Sequence, residues 1–120
     1  MTLSPSAFEL LANRGIDASA MTLDYQELPP ERRIAGTPRV GTAVLGRAGD
    51  LTVGVWEIEP SISSDVEVDE LFVVLEGEAI VSFADGSPDL ALRPGTVARL
   101  AAGAATTWAV TETLRKIYIA

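Results

Sequence analysis

The chain has 120 residues, nine Lys+Arg against 17 Asp+Glu for a net charge of −8, and 48% hydrophobic residues; this composition predicts one compact soluble domain that buries about two thirds of its unfolded surface. It contains no cysteine and no histidine, which excludes disulfides, thiolate nucleophiles, sulfur-ligated metals, a Ser-His-Asp triad, an HExxH zinc site and a histidine general base. No run approaches the roughly 18 apolar residues of a spanning helix, the start MTLSPSAFELLANRG has no basic leader, and no Lys/Arg cluster marks a phosphate-binding face, so a cytoplasmic protein with neither nucleic acid nor membrane as partner is expected.

In chain order, Ser4, Pro5, Phe8, Leu10, Leu11 and Gly15 read as one short helix with an N-cap, a proline in the first turn and a glycine stop. Up to Pro38 the text turns irregular, with Pro29-Pro30, Glu31-Arg32-Arg33 and Gly36. This stretch reads as an arm packed over the remainder. The division is then residues 1–35 as helix and arm, and 36–120 as an all-β barrel. Strands are predicted over 39–46, 51–59, 70–75, 78–84, 96–100, 106–110 and 113–119, from β-branched and aromatic runs cut by Gly, Pro, Asp and Ser. That rhythm means an antiparallel sandwich or barrel. No repeat or second domain interrupts it.

Charge is segregated. Between Arg47 and Arg93 there are 11 acidic residues and no basic one, whereas Arg93, Arg99, Arg115 and Lys116 then face only Glu112. Two readings follow: neighbouring strands cancel charge across the sheet, or a polar ligand lies between the two sets.

Glu70 opens the run ELFVVLEG that ends in Gly77, and Gly95 opens GTVARLAAGAATTWAV, with Gly103 inside it. This arrangement resembles the two motifs of the cupin superfamily, E-x(6)-G and G-x(5)-P-x-G, with Ala101 standing where the proline falls. The wider text GVWEIEP, DELFVVLEGEAIVSFADG and TTWAVTETLRKIYIA is similar to small single-domain cupins, a subgroup that includes the ethanolamine-utilisation cupin and relatives of (S)-ureidoglycine aminohydrolase. The resemblance covers about residues 36 to 120 and implies a jelly-roll β-barrel. In metal-dependent cupins it would also imply histidine ligands at Ser63 and Asp65, or Ser64 and Val66, and at Thr106. Only Glu70 of that ligand set is present, and hydroxyls with one or two carboxylates do not replace three imidazoles. No metal and no cofactor are therefore expected. A hard-cation site among Asp65, Glu67, Asp69 and Glu70 is the alternative, opposed by strand alternation that sends the first three to one face and Glu70 to the other unless a bulge intervenes.

Inside such a barrel, period two places Phe72 and Val74 inward with Glu70, and Leu71, Val73 and Leu75 outward. Both faces are apolar, so the outer one needs a cover, and a homodimer aided by the arm is expected. Trp108 and Val110 face inward from Thr106; on GVWEIE either Trp56 and Ile58 or Val55 and Glu57 do. Lys116, the sole lysine, shares a face with Leu114 and Tyr118, and is either a catalytic lysine beside a tyrosine or the partner of Glu57 or Glu70. Arg99 either binds an acidic substrate or offsets the acidic half. A carboxylate in an apolar barrel suits acid–base work near neutrality, so Glu70, Lys116 and Tyr118 are the catalytic candidates. Trp56, Glu57, Phe72, Arg99, Thr106 and Trp108 are the ligand-binding ones. The function expected is binding, with acid–base conversion, of a small polar or sugar-like metabolite. The alternatives are a non-catalytic dimeric binding or assembly module, and an oxygen-ligand metal hydrolase resembling ureidoglycine aminohydrolase.

Overall fold

The computed structural model describes residues 9–120. Among them nine strands share one hydrogen-bonded sheet: β1 (Asp24–Glu27), β2 (Arg33–Ala35), β3 (Arg39–Ala48), β4 (Leu51–Ile58), β5 (Ser61–Val66), β6 (Glu70–Phe83), β7 (Leu90–Leu92), β8 (Val97–Leu100) and β9 (Ala105–Ile119). All pairings are antiparallel. The all-β expectation is met, and helical geometry among the described residues is limited to one 3-10 turn at Pro30–Arg32.

The predicted N-terminal helix is corrected over the residues the structure describes. Ser4, Pro5 and Phe8 lie outside the described residues, and residues 9–15 are irregular, with a turn at 12–13. Asn13 takes φ 62 there, a left-handed conformation that a helix interior does not tolerate. The Leu10 N–H instead donates to the Leu45 carbonyl at 2.8 Å, so tertiary contact with β3 overrides local helix preference.

β9 is the centre of the sheet. Its whole length pairs with β6 on one side; on the other its first half pairs with β5 and its second half with β4. One strand held by two different neighbours along one edge must twist strongly, and the sheet curls into a half-barrel. β6 bends with it. The segments 70–75 and 78–84 predicted as separate strands are one strand whose register shifts against β9 around Glu76 and Glu78. Gly77 sits at that bend with φ 94, and a Cβ there would collide with the Thr113 carbonyl and lie 2.7 Å from the Leu114 Cα. Only glycine fits both constraints.

Alternation along β6 buries Phe72 and Val74 and leaves Leu71 exposed, as the period-two pattern requires. These side chains join Ile58, Val81, Leu92, Leu100, Trp108, Val110 and Leu114 in the core inside the curl. A second cluster of Leu23, Ala43, Leu45 and Val55 lies on the outer face, where Leu10, Ala18 and Met21 of the N-terminal arm pack against it.

Arg115 pins that arm. It is 5% exposed; its Nε donates to Glu57 Oε1 at 2.8 Å, and its Nη1 donates to the carbonyls of Ala18 at 2.8 Å and Met21 at 2.7 Å. The Tyr25 hydroxyl completes the network by donating to Glu57 Oε2 at 2.7 Å. Breaking a buried pair strands one charge in low dielectric, which costs about 3–5 kcal/mol. Arg115→Met is therefore expected to lower unfolding free energy by that order in urea titrations and to raise amide exchange over residues 18–21. Unchanged protection of those amides would refute the pin.

Candidate functional site

The mouth of the curl holds a cavity of about 320 Å³. Trp56 and Ile58 reach it from β4, Ser63 and Asp65 from β5, Glu70 from β6, and Trp108, Lys116 and Tyr118 from β9, while Arg32 borders it from the 3-10 turn. Alternation explains the convergence, because Trp56 pairs with Lys116 and Gly54 with Tyr118 in the β4–β9 register, so each pair points to one side.

Lys116 is the floor of this site. Its Nζ lies 2.8 Å from Glu70 Oε1, with both side chains less than a tenth exposed. The ammonium also stands 4.7, 4.4 and 4.9 Å from the ring centroids of Trp56, Phe72 and Trp108. A cation over three aromatic faces gains quadrupole attraction from each, and the carboxylate supplies the opposite charge that burial demands.

Tyr118 occupies space created by a glycine. Its ring lies where a Cβ on Gly54 would be, 2.6 Å from Tyr118 Cε2. Burial, and secondarily the Glu70 charge, raise the phenol above its ordinary value of 10.0. At neutral pH Tyr118 is thus a hydrogen-bond donor and not a base.

Glu67 enters the same cavity. It is 7% exposed, and its Oε2 accepts from the Thr106 hydroxyl and from Trp108 Nε1 at 3.0 Å. The expected alternation, with Asp65, Glu67 and Asp69 opposite Glu70, is corrected here. Glu67, Val68 and Asp69 form an irregular corner between β5 and β6, which shifts the phase and brings Glu67 and Glu70 to one side. Asp69 turns out to cap the Ala102 N–H at 3.0 Å.

Of the nine residues singled out from the sequence, Glu70, Lys116, Tyr118, Trp56 and Trp108 line the cavity. Phe72 lies directly beneath Lys116, and Thr106 stands behind Glu67 in an adjoining groove with Ser64 and Ser82. Glu57 and Arg99 are elsewhere. Glu57 faces the outer side of β4 in the Arg115 network, and Arg99 is exposed on β8, 3.9 Å from Asp69. The segregated charges do meet across the sheet, as Glu57–Arg115, Glu70–Lys116 and Asp69–Arg99. Val68 and Arg32 were not among the sequence candidates, and Ser63, Asp65, Val66 and Glu67 entered only as metal-ligand positions or in the alternative cation site. β5 is absent from the predicted strands because SISSDV offers little apolar alternation, and the corner after it hides the inward phase of Glu67.

Residues 45–118 match the family described as the EutQ-like cupin domain. The chain belongs to that family. Among solved structures, this cupin is similar to a protein of unknown function of the DUF861 family from Pseudomonas syringae pv. tomato, with 27% identity, TM-score 0.74, 87% of this chain covered and 46% of that one. It thus spans about half the length of that relative. The Clostridium difficile EutQ protein shares 17% identity at TM-score 0.66, with 88% and 83% of the two chains covered, and a cupin superfamily protein from Desulfitobacterium hafniense shares 18% at TM-score 0.61, with 92% of each covered. Those two likenesses concern fold. No curated protein matches the chain.

Three of the positions at which the cupin resemblance implies metal ligands are engaged with other side chains. Asp65 is bound to Arg32 at 2.8 Å, Thr106 to Glu67, and Glu70 to Lys116. Among the described residues no three His, Cys, Asp or Glu side chains converge on one point.

Tyr25 and Tyr118 are both raised above 10.0, each by burial first and by a carboxylate second. A folded-state pKa above the unfolded one favours the protonated form in the fold, so the contribution to stability is complete below pH 10 and is lost as pH climbs through the folded values. Tyrosinate absorbance is expected to appear at higher pH in the native protein than in urea, with stability falling in the same interval. Coincident titrations in the two states would contradict this.

Proposed function

We propose that this cupin is a metal-independent jelly-roll container for a small polar metabolite, with Glu70, Lys116 and Tyr118 grouped at the end where chemistry occurs. The cavity itself carries the reading: about 320 Å³ of open space borders both members of a buried ion pair, two tryptophans and a neutral phenol. A non-catalytic module would sooner fill that space with its own side chains. Trp56 and Trp108 offer flat walls for a ring or sugar face. Lys116 has ammonium protons beyond the one directed at Glu70, and Tyr118 has its hydroxyl proton, so both can donate to a ligand oxygen that gains negative charge. Glu70 is the acceptor of the set, which suits proton transfer, isomerisation or elimination. Redox chemistry finds no support in these side chains.

Leu71 and Val97 stay exposed on the outer faces of β6 and β8, and we propose that a second copy covers them. Light scattering is expected to give a dimer at micromolar concentration, and a stable monomer would refute it.

The functional test is a panel of small polar metabolites titrated against tryptophan fluorescence. Glu70→Gln and Tyr118→Phe are each expected to weaken the best binder at least tenfold, with Tyr118→Phe retaining the wild-type melting temperature. Binding unchanged in both variants, or a panel with no binder, would overturn the reading.

A further inference from the structure

Five ionised side chains border the cavity: Arg32, Asp65, Glu67, Glu70 and Lys116. Four of them neutralise one another, since Arg32 Nη2 lies 2.8 Å from Asp65 Oδ2 and Lys116 Nζ lies 2.8 Å from Glu70 Oε1. Glu67 is left over. Among the described residues no cation reaches it within salt-bridge distance, although it is as buried as the Glu70–Lys116 pair.

What holds Glu67 is a pair of neutral donors, the Thr106 hydroxyl and the Trp108 indole N–H, and both go to the same oxygen, Oε2. Oε1 accepts no hydrogen bond from the described residues. None of their fully enclosed side-chain polar atoms lacks a partner, so Oε1 is an accessible atom, on a side chain that lines the cavity. The carboxylate is thereby fixed in orientation, with one oxygen saturated and the other presented to whatever enters. A buried carboxylate with an open acceptor position is stabilised most by a group that brings both positive charge and N–H donors. An anionic ligand meets the opposite situation, because the lining carries one uncompensated negative charge inside a chain whose net charge is −8. Beside Glu67 the wall is apolar, with Val66 and Val68 at the rim and Ile58 further in.

Resting on the reading of this cavity as a ligand site, we propose that its ligand is a small organic cation with a protonated amine, which seats on Glu67 Oε1 while its apolar part lies against Ile58, Val66 and Val68. The proposal assigns Glu67 as the specificity-determining residue, a role separate from the chemistry at Glu70 and Lys116. The ammonium of the ligand does not displace Lys116, whose charge is already matched by Glu70.

Benzylammonium, benzyl alcohol and benzoate present one ring with three different heads, and they test this on the full chain by tryptophan fluorescence and calorimetry. Benzylammonium is expected to bind at least tenfold more tightly than benzyl alcohol, with benzoate weakest. Glu67→Gln keeps an acceptor oxygen for Thr106 and Trp108 and is expected to abolish that preference. The comparison among probes on the wild-type chain needs no variant, so it stands even if Glu67→Gln fails to fold. Benzyl alcohol or benzoate binding as tightly as the amine would overturn the proposal while leaving the cavity a ligand site. So would a preference that survives in folded Glu67→Gln. Absence of binding by all three probes overturns it too, and only an empty metabolite panel as well would remove the underlying reading.

Discussion

Two adjacent cations on one strand organise this molecule. Arg115 and Lys116 are both 5% exposed, yet strand alternation sends them to opposite faces of β9, where β4 supplies Glu57 to the first and β6 supplies Glu70 to the second. Neither charge can be buried alone, since an uncompensated ion in the interior costs several kcal/mol. A slip of β9 by one residue would exchange their faces and part both from their carboxylates. The register of the three strands that frame the site is therefore tied to charge matching as well as to the apolar core. The same pair divides labour, since Arg115 holds the N-terminal arm outside and Lys116 sets the electrostatics of the cavity inside.

Much of this arrangement was legible in the sequence. The Glu70-to-Gly77 spacing, the inward set Glu70–Phe72–Val74 and the face shared by Leu114, Lys116 and Tyr118 all follow from period two and motif geometry. Each reappears in the structure. The segregated charges likewise meet across the sheet. The unread part has physical reasons. β5 is polar because its inward residues, Ser63 and Asp65, line a cavity and not a core, so the pattern that marks a strand is missing where the site begins. Glu67 was expected opposite Glu70 and lies on its side because a three-residue corner resets the phase of alternation. Over residues 9–15 the predicted N-terminal helix is absent because local propensity is a weak prior against the backbone contact between Leu10 and Leu45. Glu57 was an open choice between faces, and only the β3–β4 and β4–β9 registers decide that Trp56 turns inward.

Glycine has an unusually direct part in shaping the pocket. Gly54 leaves a gap on β4 into which the Tyr118 ring settles, and Gly41 does the same for Tyr25 on the other face, where a Cβ would stand 2.6 Å from Tyr25 Cε1. Both phenols are thus seated by missing side chains on the neighbouring strand, one beside the cavity and one in the network that clamps the arm. Their burial, and with it their reluctance to ionise, originates in those two gaps.

The positive charge next to Glu70 belongs to a side chain and not to a diffusible ion. It arrives with translation at one per polypeptide and cannot leave by dissociation. What the site must guard is therefore the covalent integrity of a single lysine.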